Sequence, residues 1–207
     1  MKIAIIGLGN VGGALGRAWK AAGHDVVYGV RDPESEKSRQ AAGGARLGTP
    51  QGAAAGAEVV LLAVPWSAVE ATLGACANLD GKILLDATNP LAPDLSGLTL
   101  GTTTSGGERV QELARFAKVV KTFNTTGANN MAAPDYGGTP CTMLYAGDDA
   151  RANGVAAELA TAAGFAPQEL GGLSFARVLE PMALAWIQLA IKKIGREFSF
   201  NIVKRPA

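Results

Sequence analysis

The chain has 207 residues, 48% of them hydrophobic, and its 19 Lys and Arg against 18 Asp and Glu give a formal net charge of +1. That length supports one sizeable core, and the near-neutral charge offers no basic surface for nucleic acid or an anionic membrane. No uninterrupted apolar run approaches the roughly 18 residues that suggest a membrane span.

Residues 3–6 form an apolar run that reads as a buried strand and leads into Gly7-Leu8-Gly9-Asn10-Val11-Gly12. Residues 11–22 then read as a helix, and after a turn at Gly23-His24 a second apolar run, 26–30, ends at Arg31. Strand, glycine turn, helix and strand in this order are what a dinucleotide-binding unit requires. Gly7 permits the tight turn, Gly9 lets the backbone approach a pyrophosphate, and Gly12 lets the helix pack close to the strand. The helix start at Asn10 and Val11 supplies unpaired N–H groups and partial positive charge for phosphates. An acid at the end of the second strand would hold a ribose 2′-OH, whereas Arg31 suits a 2′-phosphate and favours NADP(H). Asp32 follows at once and keeps a ribose-binding acid open.

Residues 34–40 are charged and polar and predict a short helix, 45–47 a short strand and 51–57 an Ala-rich helix. Residues 58–64 are continuously apolar after Glu58, as a strand covered on both faces must be. Pro65 stops that strand, and 66–76 read as a helix. Residues 82–87 are the next strand, 92–107 a long surface loop, 108–116 a helix and 118–123 a further strand. The alternation predicts an α/β fold, a Rossmann-type, doubly wound, mostly parallel sheet with its ligand crevice beyond the carboxyl ends of the strands. At those ends stand the glycine turn, Arg31, Val64-Pro65-Trp66, Ala87-Thr88-Asn89-Pro90 and Asn124-Thr125-Thr126.

The remainder reads as a C-terminal α/β extension: strand 142–146, helix 151–163 capped by Asp149, strand 165–170, then Gly171-Gly172-Leu173-Ser174 and a long helix, 176–194. Met182, Trp186 and Leu189 give that helix an apolar stripe suited to a core or to a homodimer contact. Residues 198–202 alternate and predict a terminal strand. With no internal repeat or linker, the chain reads as one unit, 1–124 forming the dinucleotide-binding core and 125–207 completing an acceptor pocket.

Cys76 and Cys141 lie far apart with no metal-type spacing, which points to free thiols in a reducing compartment. With no leader pattern at the N-terminus, the expected location is cytoplasmic. The one histidine, His24, sits in a turn at the far end of the sheet from the glycine loop, so no metal site and no Ser–His or Cys–His catalysis is expected. Hydride transfer between planar rings needs little acid–base machinery, whereas hydroxy-acid dehydrogenation needs a group to move a proton.

Seven segments together resemble one family: 7–16 (GLGNVGGALG), 28–33 (YGVRDP), 64–66 (VPW), 104–113 (TSGGERVQEL), 118–125 (KVVKTFNT), 146–149 (AGDD) and 171–181 (GGLSFARVLEP). The chain resembles the NADPH-dependent coenzyme F420 reductases, and is similar to the cytosolic oxidoreductase domains of six-transmembrane metalloreductases. The resemblance implies NADP(H) at the glycine turn and Arg31, with Val64, Pro65, Trp66, Ala87 and Asn89 along the cofactor. It also implies a pocket in which a deazaflavin or flavin ring stacks on the nicotinamide, lined by Pro65, Asn124, Thr126, Gly172, Leu173 and Ser174. Asn124 and Thr125 are the expected positioning residues, bonding to ring carbonyls or to the carboxamide. The archaeal enzymes carry histidine where this chain has Asn124 and proline where it has Gly127. The second ligand therefore stays open between coenzyme F420, FMN, FAD and a quinone, and a non-catalytic NADP(H) sensor is the reading from another class. Arg177 and Glu180 read as a charge pair at a helix start, and Asp86 as a satisfied polar group.

Overall fold

The structure, a computed structural model, describes residues 1–76 and 78–205. The chain runs β1 (Lys2–Ile6), α1 (Asn10–Ala21), β2 (Asp25–Gly29), α2 (Glu36–Ala42), β3 (Arg46–Gly48), α3 (Pro50–Ala55), β4 (Val59–Leu62) and α4 (Val69–Ala75). It continues through β5 (Ile83–Asp86), α5 (Gly106–Leu113), β6 (Lys118–Lys121), α6 (Ala128–Ala132), β7 (Thr142–Gly147), α7 (Ala150–Ala162), β8 (Ala166–Gly171) and α8 (Ala176–Lys192). The described residues form an eight-stranded sheet in the order β3-β2-β1-β4-β5-β6-β7-β8. All pairings from β3 to β6 are parallel, and the order reverses between β1 and β4, where a doubly wound sheet opens its crevice. β7 then joins β6 antiparallel, with β8 parallel to β7.

Strand periodicity divides the core into two layers. Ile3, Ile5, Leu61 and Leu85 face one side, with Trp19 of α1 and Leu159 of α7. Ala4, Ile6, Leu62 and Leu84 face the other, with Leu73 of α4 and Val110 of α5. The Trp19 indole donates to the Leu159 carbonyl (2.8 Å), so α1 and α7 are tied by a polar bond inside an apolar layer.

Helix starts follow local chemistry. Ser35, Thr49, Ser105 and Asp149 each accept a first-turn N–H at the starts of α2, α3, α5 and α7, as expected for Asp149. α1 has no such cap. The expected helix from residue 66 begins as a 3-10 turn, Trp66–Ala68, before α4. The expected strand at 198–202 does not form: Phe198 instead stacks on Trp186 (5.2 Å, 18°) and meets Phe200 edge-on (6.0 Å), so the alternation reflects packing of the chain end on α8. The helical stretch Leu173–Lys192 has a mean hydropathy of 1.2, long and apolar enough by composition for a membrane span, though no membrane is present. In this fold its buried Ala176, Leu179, Ala183, Trp186 and Ala190 lie against protein.

Candidate functional site at the carboxyl edge of the sheet

The glycine turn has the dimensions a dinucleotide needs. Gly7 adopts φ 111°, and a Cβ there would lie 2.3 Å from the Ala63 carbonyl oxygen. A Cβ on Gly12 would fall 2.1 Å from the Gly7 carbonyl oxygen, so no larger residue lets α1 start this close to β1. Over Gly9 nothing lies within 4 Å of such an atom, and that opening is where a diphosphate would approach. With neither a side-chain cap nor an acid in its first turn, α1 leaves its N–H groups and positive end for an anion.

At the end of β2 the two candidate ribose-side residues separate. Asp32 Oδ1 accepts from the N–H groups of Glu34 (3.2 Å) and Ser35 (3.1 Å), which commits the carboxylate to a turn. Arg39 is committed to Glu34 (2.5 Å). Arg31 is exposed and in no ion pair among the described residues.

Three neighbouring cavities line the carboxyl edge. One of about 420 Å³ runs from Gly7 and Arg31 to Val64 and Pro65. A second, about 710 Å³, shares Val64 and Pro65 and adds Trp66, Ala87 and Asn89. The third, about 660 Å³, shares Asn89 with the second and Leu8 with the first, and is walled by Gly9, Asn10 and Val11 on one side and by Ala183, Trp186 and Ile187 of α8 on the other. Asn124 and Thr126 line this third cavity, so segments far apart in the chain meet there.

Beneath it lies a polar lock. Phe123, 1% exposed, takes φ 57°, a left-handed conformation that costs a bulky L-residue about 1–2 kcal/mol. Its ring is held edge-on between Trp19 (5.7 Å) and Phe165 (6.3 Å), which fixes the bend that redirects the chain at Asn124. Asn89 Nδ2 donates to the Asn124 carbonyl (3.0 Å), while Asn124 Nδ2 donates to Asn89 Oδ1 (3.0 Å) and to the Leu179 carbonyl (3.2 Å). Both amide hydrogens of Asn124 are therefore committed to protein, and its Oδ1 has no partner among the described residues.

Three residues before each of these asparagines, at the ends of β5 and β6, is an ion cluster that sequence reasoning missed. Lys121 Nζ, wholly buried, donates to Asp86 Oδ2 (2.9 Å), Glu180 Oε1 (2.9 Å) and the Thr88 carbonyl (2.5 Å). Burial pushes the Lys121 ammonium down, but Asp86 and Glu180 outweigh it and hold the pKa above the ordinary lysine value. Asp86 Oδ1 accepts from Thr88 N–H (2.9 Å) and Oγ1 (2.7 Å), shaping the turn that presents Asn89. Glu180 also receives the Gly106 and Gly107 N–H groups (2.9 Å each), so it closes the start of α5 from a distant helix. The signal was the facing of Asp86 and Lys121 at equal positions on adjacent strands. Arg177 grips Glu108 of α5 in a two-pronged bond (2.8 and 2.5 Å), so Arg177 and Glu180 are not each other's partners, as the sequence suggested, but two separate ties from α8 to α5.

Other expectations need correction. Thr125 is buried and does not line the cavity, whereas Thr126 does. Gly172, Leu173 and Ser174 are not among its lining residues either: β8 ends level with Lys121, and the chain turns there toward α5. Leu173 is buried in the layer with α4 and α5, and its N–H is held by Asp148 (2.9 Å). Their place in the wall is taken by Ala183, Trp186 and Ile187, two to three turns further along α8. Trp66 Cζ3 lies 3.2 Å from where a Gly106 Cβ would stand, so its ring packs on α5 while also edging the second cavity.

Comparison with known proteins gives a consistent picture. A family model described as NADP oxidoreductase, coenzyme F420-dependent, matches residues 2–90. The F420-dependent NADP reductase of Methanothermobacter marburgensis is 33% identical over 100% of both chains. The metalloreductase STEAP3 of Rattus norvegicus is 29% identical over 88% of this chain and 36% of its own. The crystal structure of a proposed F420-dependent NADP-reductase from Arthrobacter sp. FB24 superposes with a TM-score of 0.89 at 34% identity, covering 99% of this chain and 100% of that one.

Proposed function

The chain belongs to the family of F420-dependent NADP reductases, and from that premise we propose that it transfers a hydride between NADP(H) and the deazaflavin ring of coenzyme F420. It is an NADP-dependent oxidoreductase. The observation that carries the finer reading is the adjoining set of cavities. A dinucleotide crevice with Arg31 at one end adjoins a ring-sized space whose ionisable lining residues, among those described, are Arg17 and Arg196.

When bound, the reduced nicotinamide would supply the hydride and the deazaflavin ring would accept it together with one proton. The protein's part is placement. The glycine turn and the open start of α1 would hold the diphosphate, and Arg31 the 2′-phosphate. Ala183, Trp186 and Ile187 supply an apolar wall against which a planar ring would lie, at the Asn89–Asn124 junction. Lys121, fully buried and triply bonded, is not available as a proton donor.

FMN or FAD remains the second reading for the acceptor, because Asn124 stands where the archaeal enzymes have histidine. The test follows deazaflavin absorbance during anaerobic turnover with NADPH and with NADH, in wild type and Arg31→Ala. Arg31→Ala should raise the NADPH KM about 10–100-fold, the worth of a lost charge-assisted contact, and barely move the NADH value. Equal effects on both cofactors would contradict the 2′-phosphate assignment, and no deazaflavin reduction at all would contradict the reaction.

A further inference from the structure

Arg17 of α1 and Arg196 of the segment after α8 both line the 660 Å³ cavity, and neither forms an ion pair among the described residues. The Arg17 side chain folds back toward the start of its helix: Nη1 lies 3.3 Å from where a Cβ on Gly13 would stand, so the missing side chain at Gly13 makes room for the guanidinium. Arg196 is held in place by its own backbone, whose carbonyl accepts from Asn129 Nδ2 (2.8 Å). The nearest acid in sequence, Glu197, accepts from the same Asn129 nitrogen (3.2 Å) and is not paired with either arginine. The cavity has no Asp or Glu among its lining residues, so its charged groups are of one sign.

These two cations are surplus to the dinucleotide. Its diphosphate has the uncapped start of α1, and its 2′-phosphate has Arg31 in a different cavity. The arginines line the cavity that runs from the start of α1 to the apolar wall of α8, where the acceptor ring would lie. We infer that Arg17 and Arg196 form a subsite for an anionic side chain on the acceptor, a phosphate or carboxylate, and so select tailed rings over neutral ones. This inference rests on the hydride-transfer reading for the identity of the ring. Coenzyme F420 has such a tail, a phosphodiester followed by glutamates; its chromophore with only a ribityl chain does not.

The experiment compares F420 with that tail-less chromophore in wild type, Arg17→Ala, Arg196→Ala and the double variant. Equilibrium binding is read by deazaflavin fluorescence, alongside turnover with NADPH. Wild type should bind the tailed acceptor about 100-fold more tightly, each single variant should cut that ratio about tenfold, and the double variant should bring it near one. Equal affinity of wild type for the two chromophores would overturn the subsite. So would a rise in the NADPH KM as large as the loss for the tailed acceptor, because the arginines would then serve the dinucleotide. Arginine-dependent binding of F420 without any NADPH oxidation would uphold the subsite and bring down the reaction instead.

Discussion

Burying an ammonium costs several kcal/mol, and Lys121 is tolerated only because two carboxylates and a carbonyl meet it within 2.9 Å. Removing one partner of such a cluster leaves the others uncompensated. Lys121→Met should therefore destabilise the protein by about 3–5 kcal/mol, read as a drop in the urea midpoint, and a change under 1 kcal/mol would contradict this account. The sign of its pH dependence follows from the raised pKa. Stabilisation is complete below the ordinary lysine value of 10.5 and is lost only as pH climbs through the higher folded value. At residue scale the glycine turn was legible in sequence, because Gly7, Gly9 and Gly12 act through backbone shape along one short segment. The lock was not, because Asp86, Lys121 and Glu180 acquire meaning only once three distant elements meet. Asn124 was found by position; the structure commits its amide hydrogens to Asn89 and Leu179 and leaves its Oδ1 without a partner among the described residues.

Among the elements, α8 matters most, since it walls the 660 Å³ cavity proposed for the acceptor and is fastened by separable polar ties. One of them titrates. The hydrogen bond from Arg177 holds the Glu108 carboxyl below its ordinary value of 4.5, against the opposing effect of burial. A depressed carboxylate stabilises the fold above its unfolded pKa and loses that contribution as pH falls through the folded value. The stability gap between wild type and Glu108→Gln should therefore be full near neutral pH and shrink below about 4.5. Denaturant midpoints across that range measure it, and a constant gap would contradict the assignment. Most strands and long helices appeared within a residue or two of their sequence positions, because apolar runs and Ser, Thr or Asp caps are local signals. α6 was missed because five residues with no side-chain cap, in an Asn- and Ala-rich stretch, have neither signal. The supposed strand at 198–202 was a false positive of the opposite kind, its period set by Phe198 stacked on Trp186 and Phe200 packed edge-on against Phe198.

Over the whole molecule, the doubly wound sheet places the glycine turn, the β2 end and the ends of β4, β5 and β6 along one edge, and the crevice follows from that order. That much was readable from alternating strands and helices. The direction of β7 was not, since the irregular connection after β6 lets a strand join the sheet either way. α8 starts beside the start of α5, where Glu180 meets the Gly106 and Gly107 N–H groups, and runs on until Ala183, Trp186 and Ile187 reach the cavity. The proposed donor and acceptor sites draw on different parts of the chain, the first on residues up to Asn89 and the second on their junction with Asn124, α8 and the segment around Arg196. The central claim is that the second space takes a deazaflavin and completes a hydride transfer. The most direct measurement is anaerobic oxidation of NADPH by the wild-type protein with F420, FMN and FAD as competing acceptors. F420 should be reduced in preference to both flavins; reduction of a flavin in its place, or NADPH binding with no acceptor reduced, would contradict the account.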